Sequence, residues 1–191
     1  MMLASASKTR IFSIIDLKDI DMTLTTISIL CAALLYVAYN AVSLAYFGVP
    51  QSLSMTYYLW KEKANIGYLF PIMMYMVVAL MMPAWITMTE GSDWQFLAFL
   101  APASIAFVAT APAFLSSDLE NKVHSISAVL AAVCSLAWVC IVTPFWWSII
   151  CFTGIVALAV TLTKTLKTSY IYWLETIAFA STFYSAIIYS L

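Results

Sequence analysis

Six apolar stretches, each long enough to cross a bilayer, fill nearly all of this 191-residue chain, and most of its polar groups gather at the loop ends on one membrane side. A hydrocarbon core of about 30 Å takes about 20 residues of helix at roughly 1.5 Å per residue. The stretches run from about Thr23 to Phe47, Asn65 to Thr89, Trp94 to Leu115, Val123 to Val142, Phe145 to Thr163 and Ser169 to Leu191. Backbone polar groups in lipid must be satisfied within each segment, and the connections are short. The expectation is an all-α polytopic integral membrane protein. Its bundle of six transmembrane helices covers residues 23–191, with consecutive helices as antiparallel neighbours, behind a short interfacial segment at residues 1–22. With 64% hydrophobic and 9% charged residues, against roughly 25% charged in a soluble domain, a water-soluble reading is excluded.

The opening MMLASASKTRIFSIIDLKDIDM holds no continuous apolar run of signal-peptide length before its acids, so the first span is expected to act as its own signal anchor. Ile11, Ile14, Ile15 and Lys18 recur at helical spacing, as in a short helix lying on the interface. The net charge is -1 and the cations are scattered, so no basic strip exists to neutralise a phosphate backbone and nucleic acid is not an expected partner. Cys31, Cys134, Cys140 and Cys151 fall inside apolar stretches, without a CxxC pair or a histidine at ligand spacing. They read as small buried apolar residues, and no metal site or cofactor is expected.

Local signals punctuate the spans. Ser92 with Gln95, and Ser117 with Glu120, have the spacing of capping boxes at the starts of spans three and four. Pro144 separates spans four and five, while Pro71, Pro83, Pro102 and Pro112 are expected to kink spans two and three. Trp85, Trp94, Trp138, Trp146 and Trp147 lie by the second and fourth loops, and Trp60 and Trp173 by the first and fifth, the pattern of two interfacial belts. Both termini then share a side. Lys61, Lys63, Lys122, Lys164 and Lys167 on the odd loops outnumber Lys8, Arg10 and Lys18 in the N-terminal tail, a count that puts the odd loops in the cytoplasm. The first span, which usually dominates, argues the reverse through its N-terminal cations, and termini in the cytoplasm are the expectation.

The polar cluster of that other face has four parts. Loop one, VPQSLSMTYYLWKEKAN, brings Ser52, Ser54, Thr56, Tyr57 and Tyr58; loop three, SSDLENKVHS, brings Asp118, Glu120, Asn121 and His124, the only histidine. Span one adds Tyr36, Asn40 and Ser43 on one face. Span six adds Glu175, with Thr182, Ser185 and Tyr189 continuing a polar stripe. An ionisable group within a span is costly and faces the bundle interior or a water-filled cavity, unless it reaches interfacial water or pairs with Lys164 or Lys167. His124 beside Glu120 at a helix start has the makings of a general base acting on Ser54, Ser125 or water; the bland alternative is an interfacial histidine ordered by Glu120. Asp118 reads as a helix-start acid or as an orienting group.

The runs VPQSLSMTYY and APAFLSSDLENKVHSISAVLA, with their Pro-Ser-Tyr first loop and a Pro, an acid and a His leading into span four, resemble a broad group of bacterial six-span membrane proteins related to the DRAM/Sfk-type membrane proteins. The resemblance implies a protein of the bacterial cytoplasmic membrane tied to lipid or membrane homeostasis, with Ser54, Tyr57, Asp118 and His124 at the matching positions. It implies no particular reaction. The paired HxxxH histidines of ceramidase-like membrane hydrolases are missing, which speaks against a zinc hydrolase, as does the lack of a rhomboid-like GxSx motif against that protease type. Three functions compete. The first is binding of a lipid headgroup, a small solute or a partner (another membrane protein or a second copy) through Asn40, Ser54, Tyr57, Tyr58, Asn121, His124 and Glu175. The second is an intramembrane lipid hydrolase with His124 as base and Glu175 or Asp118 orienting it. The third is a small transporter, for which neither an internal repeat nor a continuous polar line is present.

Overall fold

The structure, a computed structural model, describes the backbone of residues 2–191 and the side chains of residues 22–191. The interfacial role expected for residues 1–22, with Ile11, Ile14, Ile15 and Lys18, falls outside the described side chains. The chain forms seven helices: α1 (Met2–Phe47), α2 (Thr56–Ala64), α3 (Leu69–Met88), α4 (Gln95–Thr110), α5 (Asp118–Ile141), α6 (Trp147–Thr163) and α7 (Leu166–Ser190). Met22–Phe47 of α1, together with α3, α5 and α7, is long and apolar enough to cross a membrane; α4 and α6 are apolar but shorter. Their 16 and 17 residues extend about 24 and 26 Å, against a core of about 30 Å.

Proline explains the first shortfall. Span three was expected to reach Leu115 through a kink at Pro112, but α4 stops at Thr110, because the residue before a proline is pushed out of the helical region. Ala111 sits at φ -112°, ψ 57°. Pro71 kinks nothing either, since it lies in the first turn of α3, where a missing N–H has no intrahelical acceptor to lose. Pro83 and Pro102 do stand inside α3 and α4. Three residues before Pro83, the Leu80 carbonyl accepts the Ser28 hydroxyl of α1 at 2.7 Å.

Loop one is more than a connection, because it contains α2. That helix ends at Asn65 in the left-handed conformation, φ 56°, and Gly67 follows where a Cβ would lie 2.7 Å from the Tyr57 carbonyl oxygen. Only glycine fits that approach. Of the two capping boxes one half forms: the Ser117 hydroxyl accepts the Glu120 amide at 3.2 Å, while the Glu120 carboxylate takes Ser116 instead. Ser92 turns to the Trp94 amide, and Trp94 rather than Ser92 is the cap of α4.

Helices α1, α3, α4, α5 and α7 pack in a closed ring, and α6 lies outside it against α7. The consecutive pair α5 and α6 is therefore not a packed neighbour pair: the turn through Pro144 swings α6 past α5, and small residues seat it on α7, with Ser148 Oγ 3.1 Å from Ser185 Oγ. Thr26 Oγ1 donates to the Ser190 carbonyl at 3.0 Å, so the start of the apolar part of α1 meets the last turn of α7.

The ring buries Phe70, Met73, Val77, Ala98, Ala101 and Ala186. It also buries Trp85 and Trp138, whose rings meet at 5.4 Å. These two are thus core residues and not part of a belt, whereas Trp94, Trp146 and Trp147 are exposed as the belt reading expects. Trp60 is buried too and donates from Nε1 to Ser43 Oγ at 3.0 Å. Trp60→Phe and Ser43→Ala should each lower thermal stability by about 1 kcal/mol, and the double variant by little more than either, as one shared hydrogen bond requires. Cys31, Cys140 and Cys151 are exposed on outward helix faces and Cys134 alone is buried, contrary to the uniform burial expected of them. In lipid an outward apolar face needs no covering by protein.

Candidate functional site

The segment between α1 and α2 carries the polar residues of loop one, and α7 holds it in place. A break in α7 at Ser169 (φ -136°, ψ 26°) frees the Tyr172 amide, which donates to the Gln51 carbonyl at 3.1 Å. Ser169 Oγ reaches the Val49 carbonyl at 3.3 Å. The Glu175 carboxylate accepts the Leu53 amide at 2.7 Å. Residues 52–55 form a tight turn leading into α2, with Met55 and Thr56 amides bonded to the Ser52 and Leu53 carbonyls. The first amides of such a turn have no acceptor of their own and carry the positive end of the helix dipole, so the carboxylate acts there as a cap. Glu175 thus faces the bundle and is held by an amide, not by a lysine.

His124, in the second turn of α5, joins loop one to loop three. Its Nδ1 lies 2.9 Å from the Ala111 carbonyl oxygen and its Nε2 2.8 Å from Ser54 Oγ. A carbonyl only accepts, so the Nδ1 proton points to Ala111 and Nε2 carries the lone pair that accepts the Ser54 hydroxyl. The carbonyl is available because Pro112 has ended α4, and the Phe114 ring stacks on the imidazole at 4.5 Å and 23°. Both ring nitrogens are occupied, which leaves no place for Asp118, Glu120 or Glu175 as the group that orients His124.

Below this junction a narrow cavity runs between α3, α4, α5 and α7. About 60 Å³ of it is open to the centres of water-sized molecules, several times the roughly 10–15 Å³ that one water needs. Ser54 and Glu175 lie at the loop-one end; Met74, Val77, Met81, Ile105, Val108, Ala131, Ala178, Phe179 and Phe183 make most of the wall; Trp85, Ser135 and Thr182 lie farther in. From Glu175 to Phe183 along α7 is about 12 Å. Trp85 Nε1 and Thr182 Oγ1 are buried without a hydrogen-bond partner among the described residues.

Three of the residues named from sequence therefore converge: Ser54, His124 and Glu175. Asn40 is nearby but committed, its Nδ2 donating to the Tyr36 carbonyl at 2.9 Å and its Oδ1 accepting the Tyr172 hydroxyl at 3.2 Å. Tyr58 accepts the Leu115 amide at 2.7 Å, and Tyr57 packs edge-on against it. Asp118 and Asn121 are exposed at the start of α5, Asn121 accepting from Ser125. None of these five lines the cavity. Of the stripe on α7, Thr182 does, Ser185 is taken by Ser148, and Tyr189 sits edge-on to Trp138. The cavity's apolar wall went unread in the sequence; its only trace there is that Ala178 and Thr182, small residues, follow Glu175 at helical spacing. Among the described residues no three His, Cys, Asp or Glu side chains gather as metal ligands. No protein-family profile, curated protein or solved structure matches this chain.

Proposed function

We propose that this is a six-span membrane protein that binds a lipid-like amphiphile in the cavity, its polar group at Ser54 and Glu175 and a segment of its chain along the apolar wall. The observation that carries this reading is the chemistry of the cavity: a hydroxyl and a carboxylate at the loop-one end of a slot walled mostly by Met, Val, Ile, Ala and Phe, with Trp85, Ser135 and Thr182 farther in. A narrow slot about 12 Å deep takes part of one chain, and the rest leaves between helices into the bilayer. The exposed Leu, Ile and Val side chains that cover the outer faces of α1, α5 and α6 suit a surrounding of acyl chains. The short helices α4 and α6 cross with local thinning of the bilayer. The Thr26 to Ser190 contact supports termini on one side, and Lys8, Arg10 and Lys18 favour the cytoplasm for that side. The resemblance to DRAM/Sfk-type proteins suits the same lipid setting.

Filling the slot tests this. Ala131→Leu and Ala178→Leu place extra methyls in the cavity while leaving the polar end untouched. The protein purified in mild detergent should carry bound lipid, seen by native mass spectrometry. The double variant should retain about tenfold less, a loss of about 1.4 kcal/mol in binding, with helicity and melting temperature maintained because the added groups occupy empty space. Equal lipid retention by both proteins would refute the cavity as the binding site.

A further inference from the structure

Resting on that reading, we infer that Ser54 and His124 form a nucleophile and base pair that cleaves a lipid ester bound in the cavity. Four observations meet at Ser54. The hydroxyl lies 2.8 Å from His124 Nε2, in the range a general base needs for the proton it abstracts. The Ala111 carbonyl holds the opposite ring nitrogen and so fixes the tautomer in which Nε2 accepts, the part that a third group plays in a nucleophile, base and orienter series. Ser54 lines the cavity, so a carbonyl carried at the polar end of a bound chain comes to the hydroxyl. Finally, among the described residues the Ser54 amide has no acceptor, whereas the Leu53 amide beside it is held by Glu175. A free amide at the positive start of a helical turn is a donor for the oxyanion that forms when its own side chain attacks.

The chemistry balances with water as the second reactant. Ser54 Oγ forms a bond to the ester carbonyl carbon as its proton passes to His124 Nε2. The carbon–alkoxy bond breaks, the leaving alcohol takes that proton from Nε2, and an acyl ester remains on Ser54. Water then attacks the acyl carbon, gives a proton to Nε2, and the Ser54 oxygen leaves and recovers it. The net change is ester plus water to carboxylic acid plus alcohol. Ser54 is 2% exposed and lines the cavity, so the cavity is the route to its hydroxyl. Long-chain esters are therefore the substrate class, and short water-soluble esters are not.

A long-chain alkyl fluorophosphonate reports the pair directly, since attack by Ser54 Oγ expels fluoride and leaves a stable phosphonyl ester. The full chain in detergent micelles should gain that mass on the peptide containing Ser54, and a short-chain probe should label it far more slowly. Ser54→Ala should abolish the label. His124→Gln, melting like the wild type, should slow labelling about 100-fold, the lower range for loss of a general base. Failure of wild-type Ser54 to label, labelling of another serine, or equal rates in His124→Gln would each overturn the inference. If Ser54 stays unlabelled while the slot still retains lipid, the amphiphile reading stands and the pair only staples loop one to α5. Loss of both would remove both.

Discussion

Replacing Trp138 by alanine is expected to destabilise the protein by about 3–5 kcal/mol, the range for truncating a large buried aromatic. Trp138 is completely buried, packs on Trp85 at 5.4 Å and takes the edge of Tyr189 at 6.4 Å. Lipid tails are as apolar as the bundle interior, so the loss is not one of hydrophobic transfer. It is the van der Waals contact of a whole indole, together with the hole left among helices that cannot fully collapse. Trp138→Phe separates the two contributions of the side chain. Among the described residues its Nε1 has no hydrogen-bond partner, so phenylalanine keeps most of the contact and gives up no polar interaction; the expected cost is about 1 kcal/mol. Denaturant unfolding in mixed micelles, followed by far-ultraviolet circular dichroism, measures both. A phenylalanine variant as unstable as the alanine variant would show that the indole N–H has a partner after all.

Glu175→Ala is expected to be the most damaging change at the polar end. It leaves the Leu53 amide without its acceptor, at a cost of about 1–3 kcal/mol for an unsatisfied buried donor, and removes one of three bonds that tie loop one to α7. Amide exchange over residues 51–58 should accelerate, and bound lipid should fall in parallel, because Ser54 lies one residue from the lost anchor. Glu175→Gln keeps a side-chain oxygen for that amide, so it should retain loop protection and most of the stability. An alanine variant with wild-type exchange in loop one would mean that the Tyr172 and Ser169 bonds hold the segment unaided.

Helical class and apolar character were legible in this sequence because both follow from composition and local rules. Runs of Leu, Ile, Val, Ala and Phe, interrupted at Gly48, Gly91 and Pro144, leave little alternative to helices with polar turns. Boundaries were less legible. Pro112 reads as a kink when the apolar run is followed to Leu115, and as a stop only when the displaced Ala111 carbonyl is seen to have a use, as the partner of His124. The helix in loop one was missed because Thr56–Ala64 is short and mixes lysines with aromatics, a pattern that carries no clear apolar period.

The sequence by itself led to the expectation that Ser54, His124 and Glu175 lie at one end of the bundle, since that depends only on the number of helices between them. Tertiary structure decided which atoms meet. Segments 70 and 122 residues apart are brought together by the ring order of the helices and by the break at Ser169, and neither has a local signature. The same holds for the tryptophans: position near a loop end is a sequence property, but whether an indole meets headgroups or another indole depends on the rotation of α3 and α5 about their axes. With apolar residues on every side of those helices, periodicity does not fix that rotation, and packing between neighbours does.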